Sequence, residues 1–389
     1  MPGNDPMNIT SQIWPGIAPQ WPDLATGGSL LSSPAWIRAL SGRGNKRTIT
    51  IVVSADGEPR VAALATVRSE PEPGQFYDLH HVLISPAPAL PLTEAARAAR
   101  TELAGSAPPA EHWVPSLVVM LPGYECEPVG PGRDDARLLG ELTDAACRWA
   151  AEQDLRSVAF LYTRPDAKSL AAALTERGFV GMPLSLTWDL VVPDGGFTGY
   201  LASLSSKRRR EAQRELARVA DAGVRIRHLD HDETSTEPVR AAMTALRSQL
   251  VRKYRGYADE QGERAKLDML IRDVCSDRAH VVAALADDHM VGFALFAPYG
   301  ATWYCLATGF DYADPRSRLC YFATLFYAAV PVAAQGGARS LGYGQGSGHA
   351  KRSRGCVGTP LAGWMRSEDP ALTEAALASA AVTRLQPGA

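Results

Sequence analysis

RGFVGMPL (Arg177–Leu184) and RGCVGTPL (Arg354–Leu361) are one phrase written twice in the same chain, with six of eight letters shared, two glycines and a proline among them. Helix and strand interiors tolerate glycine and proline least, so their coincidence is the informative part of the match. The lead-in repeats too. RSVAFLYTRPDAK (Arg156–Lys168) aligns with RSLGYGQGSGHAK (Arg339–Lys351) through a shared Arg-Ser, an apolar start and a closing Ala-Lys. The lead-ins lie 183 residues apart and the phrases 177, so the second copy is six residues shorter between its lysine and its arginine. A period of this length marks a duplicated α/β domain, not a solenoid repeat.

Composition agrees with two domains. The chain has 389 residues, with 46% hydrophobic and 21% charged content, which is that of an ordinary globular protein able to build sizeable cores. A formal net charge of -2 names no partner. The six cysteines are scattered, with no CxxC and no Cys/His spacing that would hold zinc, so we expect no metal and a reduced, cytoplasmic setting. The opening MPGNDPMNITSQIW has neither a charged n-region nor an apolar h-region. The longest apolar run, YFATLFYAAVPVAA, falls short of the roughly 20 residues of a membrane span, so a soluble protein without a membrane partner is expected.

In the first copy, Ser33-Pro34 starts a short helix, and RTITIVVSAD and RVAALATVRS form a hairpin about Gly57-Glu58-Pro59. HWVPSLVVML reads as a buried strand and RDDARLLGELTDAACRWAAEQD as an amphipathic helix. Strand SVAFLY, helix DAKSLAAALTERG and strand LSLTWDLVV follow. PDGGFTGY is a linker, which divides the chain into domains 1–192 and 193–389. The second copy reads helix SKRRREAQRELARVADAG, strand VRIRHL, two helices to Cys275, hairpin AHVVAALADDHMVGFALFAP, strand TWYCLAT, helix YFATLFYAAVPVAAQ, strand SLGYG and strand AGWM. The last twenty residues are expected to fray.

That order resembles the GNAT acyltransferase superfamily in duplicate. GFD (Gly309–Asp311), the helix from Tyr321 and GSGHAK (Gly346–Lys351) stand where Fem-type and cellulose-biosynthesis-type acyltransferases carry a strand ending in Asp, a helix, and a strand ending Gly-x-x-x-Tyr-Lys. The resemblance implies an α/β (α+β) fold of tandem GNAT-like domains, each a mixed, mostly antiparallel sheet flanked by helices, with the active cleft mainly in the second. Two positions depart from the pattern: Gly342 stands where an acidic residue is usual, and Ala350 where the tyrosine before Lys351 is usual.

Acyl transfer to an amine requires a neutral nucleophile, donors for the developing oxyanion and a proton for the leaving group. The resemblance places an oxyanion-facing backbone N–H around Leu306–Thr308 and offers Asp311, Tyr304, Tyr343 and His349 as candidates for base or acid, with Asp311, Tyr343 and His349 taken as catalytic and Tyr304 as substrate-binding. Asp311 is equally suited to capping a turn, and Tyr343 to packing. Lys351 suits an anion-binding or a structural role. The resemblance puts an acceptor-selecting loop at Tyr254 and Tyr257, in RKYRGY, a stretch equally suited to an ordinary helix-ending turn.

Coenzyme A-dependent relatives hold the pyrophosphate on a Gly-rich loop at a helix N-terminus. Here EPVGPGR keeps Gly130 and Gly132 but carries Glu127, whose carboxylate repels phosphate; RSRLCY keeps Arg316 and Arg318 but fills the glycine places with Leu319 and Tyr321. The favoured donor is therefore a phosphopantetheine thioester on an acyl carrier protein rather than on coenzyme A, with no tightly bound cofactor and a small-molecule amine of specialised metabolism as acceptor. The run SSKRRREAQRELARV sets Arg210, Arg214 and Arg218 in a stripe opposite Ala212, Leu216 and Val219. With Arg208 and Arg209 it would dock an acidic carrier helix or an RNA backbone. Overall neutrality disfavours DNA and speaks mildly against RNA. Two alternatives stand beside this reading: a Fem-type transferase using aminoacyl-tRNA, and a GNAT-like binding module without activity.

Overall fold

The computed structural model describes residues 7–41, 47–85, 90 and 92–384. Its strands are β1 (Ile9–Pro15), β2 (Thr48–Ala55), β3 (Glu58–Arg68), β4 (Ser116–Val119), β5 (Ser157–Thr163) and β6 (Val180–Val191). They continue with β7 (Val224–Leu229), β8 (His280–Ala286), β9 (His289–Tyr299), β10 (Thr302–Phe310), β11 (Ser340–Gly344) and β12 (Val357–Ser367). The chain folds as two compact units, Met1–Leu186 with Thr359–Ala389, and Thr187–Gly358. Neither the 192/193 boundary nor a linker at PDGGFTGY survives: the units divide inside β6 and again inside β12, and a helix already begins at Gly196.

In the first unit the strand order is β1-β2-β3-β4-β5-β12, with β4 and β5 parallel and the other pairs antiparallel. The β2–β3 turn is Asp56-Gly57, both at positive φ as a two-residue hairpin turn requires, which draws Pro59 into β3. Helix Ala136–Glu152 begins on Asp135, whose carboxylate accepts the N–H of Arg137 and Leu138. Its Leu138, Leu142, Ala146 and Trp149 share a core with Ile51, Val61 and Phe160.

Periodicity did not reveal β1 or the helices Leu79–Ile84 and Glu94–Ser106. The C-terminal segment corrects the expectation of fraying: Pro370–Arg384 is a helix, with Leu372, Ala376 and Ala380 in one core with Leu79, Leu83 and Ala96. Alanine spacing is a weak hydrophobic signal, and it was read as a tail. Residues 385–389 lie outside the described residues.

In the second unit the order is β6-β11-β10-β9-β8-β7, with β10 and β11 parallel and the rest antiparallel. Both units are thus mixed, mostly antiparallel sheets flanked by helices. Between β10 and β11 runs the helical stretch Arg316–Gln335, interrupted by a π turn at Ala323–Tyr327. The π turn precedes Pro331, whose ring cannot donate to or fit over a regular preceding turn. By length and composition this stretch alone, among the described residues, would pass as a membrane span, yet its Cys320, Phe326, Val330 and Ala333 are buried in the unit.

Candidate functional site

β10 and β11 pair at three positions only, Thr302↔Ser340, Trp303↔Leu341 and Tyr304↔Gly342. Beyond them the strands part. The register of β10 against β9 shifts between Cys305 and Ala307, so Leu306 is the extra residue of a bulge. This is where an oxyanion-facing backbone was expected, at Leu306–Thr308. On the other side of β11, β6 pairs Asp189 with Gly342. Tyr304, Gly342 and Asp189 therefore form the last row across three strands before the split. A Cβ at Gly342 would lie 3.4 Å from Tyr304 Cδ1 and 3.5 Å from Asp189 Oδ1, so the bare glycine is flanked by a phenol ring and a carboxylate.

After β11 the backbone turns through Gly344, Gly346 and Ser347, all at positive φ. Lys351 fastens this turn. Its Nζ donates to the carbonyls of Tyr343, Gly344 and Gln345 at 2.8, 3.0 and 2.9 Å, and the side chain is buried. Burial lowers its pKa to about 8. With three donors spent on three carbonyls, Lys351 is a clamp for the strand end rather than an anion site.

The proposed catalytic trio is not assembled. Tyr343 is buried, its hydroxyl donates to the Leu325 carbonyl at 2.5 Å, and its ring packs 4.7 Å from that of Phe326. Burial drives that hydroxyl far above its ordinary pKa. It is a core residue that uses a carbonyl in the π turn. Asp311 Oδ1 accepts the Ala313 N–H at 2.9 Å, which is the turn-capping role. His349 is exposed on the short helix Gly348–Ser353. Among the described residues no hydrogen bond joins any two of the three.

The candidate donor loops are occupied by protein. At the start of the helix from Arg316, Asp314 Oδ1 accepts the Arg316 N–H at 2.8 Å. The Arg316 guanidinium binds Asp314 and Asp287, each at 2.8 Å. A carboxylate thus lies at the start of this helix, already paired with an arginine. Arg318 and Leu319 beside it are exposed. In the first unit the Gly132 N–H donates to the Arg60 carbonyl at 2.8 Å, and a Cβ at Gly130 would come within 2.3 Å of that oxygen. Those glycines allow close packing against the Arg60 carbonyl of β3 and, at Gly132, against the Leu138 side chain.

Some cations of the second unit are paired and others are not. Arg225, Arg227, Arg240, Arg247, Arg264 and Arg316 are paired with carboxylates. Arg210, Arg214, Arg218, Arg252 and Arg255 are exposed and have no ion pair among the described residues. The first three form the stripe expected on helix Ser206–Asp221, whose Ala212 and Val219 are buried and whose Leu216 is half-buried. Arg208 and Arg209 are partly spent, donating to the carbonyls of Arg352 and Leu201 at 2.9 and 2.8 Å. The other two flank Lys253 and Tyr254 at the end of helix Glu237–Arg255, followed by Tyr257; the two tyrosines are 75% and 73% exposed. Lys253 Nζ lies 4.0 Å from the Tyr312 ring centre, and the Tyr312 N–H donates to Gln249 at 3.0 Å, fixing this patch at the end of β10. Asp189, beside Gly342 in the last row before the split, was not among the residues singled out from the sequence. Its signal was an acid within the apolar run LSLTWDLVV.

The chain matches the FemAB-like family model, described as peptidoglycan biosynthesis/recognition, over residues 112–380. No curated protein matches it. Among solved structures, FemX aligns over 89% of this chain and 94% of its own at 12% identity, with a TM-score of 0.56. A tandem GNAT protein from the clavulanic acid biosynthesis pathway aligns over 93% and 99% at 13% identity, TM-score 0.47. The C-terminal domain of a putative lysylphosphatidylglycerol synthetase from Agrobacterium fabrum aligns over 68% and 80% at 15% identity, TM-score 0.48.

Proposed function

The chain belongs to the FemAB-like family and is an acyltransferase by that membership; from this premise we propose that it moves an aminoacyl group from the 3′ ester of an RNA to an amine, forming an amide. The family's description makes an amine of a cell-wall peptide precursor the first acceptor class to consider. The observation that carries the reading is the pairing of a filled nucleotide seat with a cationic and aromatic surface that is left open. Asp314 and Arg316 occupy the helix start that coenzyme A would need. At the end of β10, exposed Tyr254 and Tyr257 stand among Arg252, Lys253 and Arg255. Exposed aromatics among unpaired cations suit a single-stranded nucleic acid, whose bases stack and whose phosphates need counter-charge.

An acyl carrier protein would also meet arginines, but it offers no bases for the tyrosines. The RNA reading therefore displaces the carrier protein as the favoured donor. Charged RNA ends, an acyl-pantetheine carrier and acyl-coenzyme A should be presented with one amino-acyl group and one amine-bearing peptide, with amide product followed by mass spectrometry. Product from the RNA ester is expected. Product from a thioester alone would overturn the reading.

A further inference from the structure

The catalytic residues expected at Asp311, Tyr343 and His349 leave the cleft without a base, while the row at the strand split holds a carboxylate no motif pointed to. We infer that Asp189, reaching the second unit's cleft from β6, is the catalytic carboxylate there, standing in for the acidic side chain absent at Gly342 and acting with Tyr304. The inference rests on the reading that the site makes an amide from an acyl donor. It does not require that the donor be RNA.

Three features of the geometry lead to it. Asp189 and Tyr304 are the cross-strand neighbours of Gly342 on its two sides, in register, and side chains at paired positions share one face of a sheet. Gly342 has no side chain to separate them. Beyond this row β10 and β11 diverge, so the pair borders the gap in which the Leu306 bulge lies. On the opposite face, Trp188 and Leu190 are buried, which fixes Asp189 toward the Gly342 side. Lys351, held by backbone carbonyls, and Cys356, just before β12, are among the ionisable groups close enough to sense Asp189.

The step balances as follows. The Asp189 carboxylate takes one proton from the acceptor ammonium and later releases it to water. The freed nitrogen attacks the acyl carbon, so a C–N bond forms while the bond from that carbon to the leaving oxygen or sulfur breaks. The Tyr304 hydroxyl gives its proton to the leaving atom and regains one from the nitrogen. The products are an amide and a free hydroxyl or thiol, and one proton goes to solvent.

The test compares wild type, Asp189→Asn, and Asp189→Asn combined with Gly342→Asp, each with the RNA ester and with acyl-pantetheine, with melting temperature measured in parallel. A Cβ at 342 meets only ordinary contacts and its φ is not positive, so the swap moves the carboxylate one strand over without a clash. Asp189→Asn should lower kcat about 10²-fold or more with the donor KM retained, and remove the acidic limb of the pH–rate profile. The added Gly342→Asp should restore part of both. Wild-type kcat in Asp189→Asn, a loss confined to KM, or a fall without rescue by Gly342→Asp would overturn the assignment. If wild type uses only the thioester, the RNA reading fails while a fall there in Asp189→Asn still supports Asp189; wild type inert with both donors sinks both.

Discussion

The end of β5 in the first unit and the end of β11 in the second are the same duplicated segment put to different uses. β5 runs seven residues, all buried, and pairs with β4 at four positions. Past that point the gap is filled: the Cys126 N–H donates to the Tyr162 carbonyl at 3.0 Å, and Cys126 bridges Thr163. β11 stops after five residues, loses β10 after Tyr304↔Gly342, and has Gly344 and Gly346 where β5 has the buried Leu161 and Thr163. The aligned lysines part company too, since Lys168 is exposed and Lys351 is buried under a strand end. Both copies keep the scaffold, but the second parts its strands beyond Gly342, gives up side chains there and clamps the bare backbone that remains.

The comparison can be broken at four aligned places. Arg354 and Arg177 open the repeated phrase. Arg354 is buried, bonded to Glu215 and stacked 3.7 Å over Phe322, whereas Arg177 meets Asp144 at 2.8 and 2.9 Å on a partly exposed surface. Arg354→Met should cost about 2–4 kcal/mol in denaturant unfolding, because half-buried Glu215 is left with only the Tyr327 hydroxyl as partner. Arg177→Met should cost about 1 kcal/mol or less. Equal losses would show that the two arginines do the same work.

Lys351→Met should cost about 1–3 kcal/mol and Lys168→Met no more than about 0.5 kcal/mol. The pH dependence sharpens this. Folding lowers Lys351 from 10.5 to about 8, so between those values the unfolded chain holds a proton the folded one has released. Wild type should therefore gain stability relative to Lys351→Met as pH rises from 8 toward 10.5, and lose that gain as pH falls back through 8. A stability difference between wild type and Lys351→Met that is the same at pH 7 and pH 10 would show that burial does not lower the pKa of Lys351.

Tyr343 aligns with Phe160, so Tyr343→Phe makes the second copy like the first at that point. The lost hydroxyl bond to Leu325 should cost about 1 kcal/mol while turnover with any accepted donor is kept. A collapse of kcat with stability intact would return Tyr343 to the catalytic role first expected of it. The smallest effect is expected at exposed His349, where replacement by alanine should shift stability by no more than about 0.5 kcal/mol and leave the rate unchanged.

Much of this was legible in the sequence. The repeated phrase announced two similar units, and periodicity placed the long helices, because apolar spacing reports burial directly. The bulge at Leu306 lies where an oxyanion-facing backbone was expected. What escaped was set by neighbours in space. Asp189 becomes a site residue only when β6 is paired with β11, and no local pattern encodes that pairing. Lys351 and Tyr343 carry chemistry-bearing side chains, but their donors are consumed by carbonyls that the π turn and the glycine-rich turn bring near. Gly130 and Gly132 looked like a phosphate loop because glycine signals close approach without saying whether backbone or ligand approaches.

The first unit is built from both ends of the chain, and this bears on how it is made. The Ser367 hydroxyl donates to the Arg156 carbonyl across 211 residues, and β12 and the helix Pro370–Arg384 complete the sheet and one core. On the ribosome, β1 to β5 emerge long before the strand that covers β5 exists, leaving that edge and its apolar face unmatched while the second unit is synthesised. Closing so long a loop adds little to the entropic cost at equilibrium but delays the closing contact. The segment from β1 to β5 is thus the part most exposed to chaperones and to misassociation during synthesis, although it is translated before the strand that completes it.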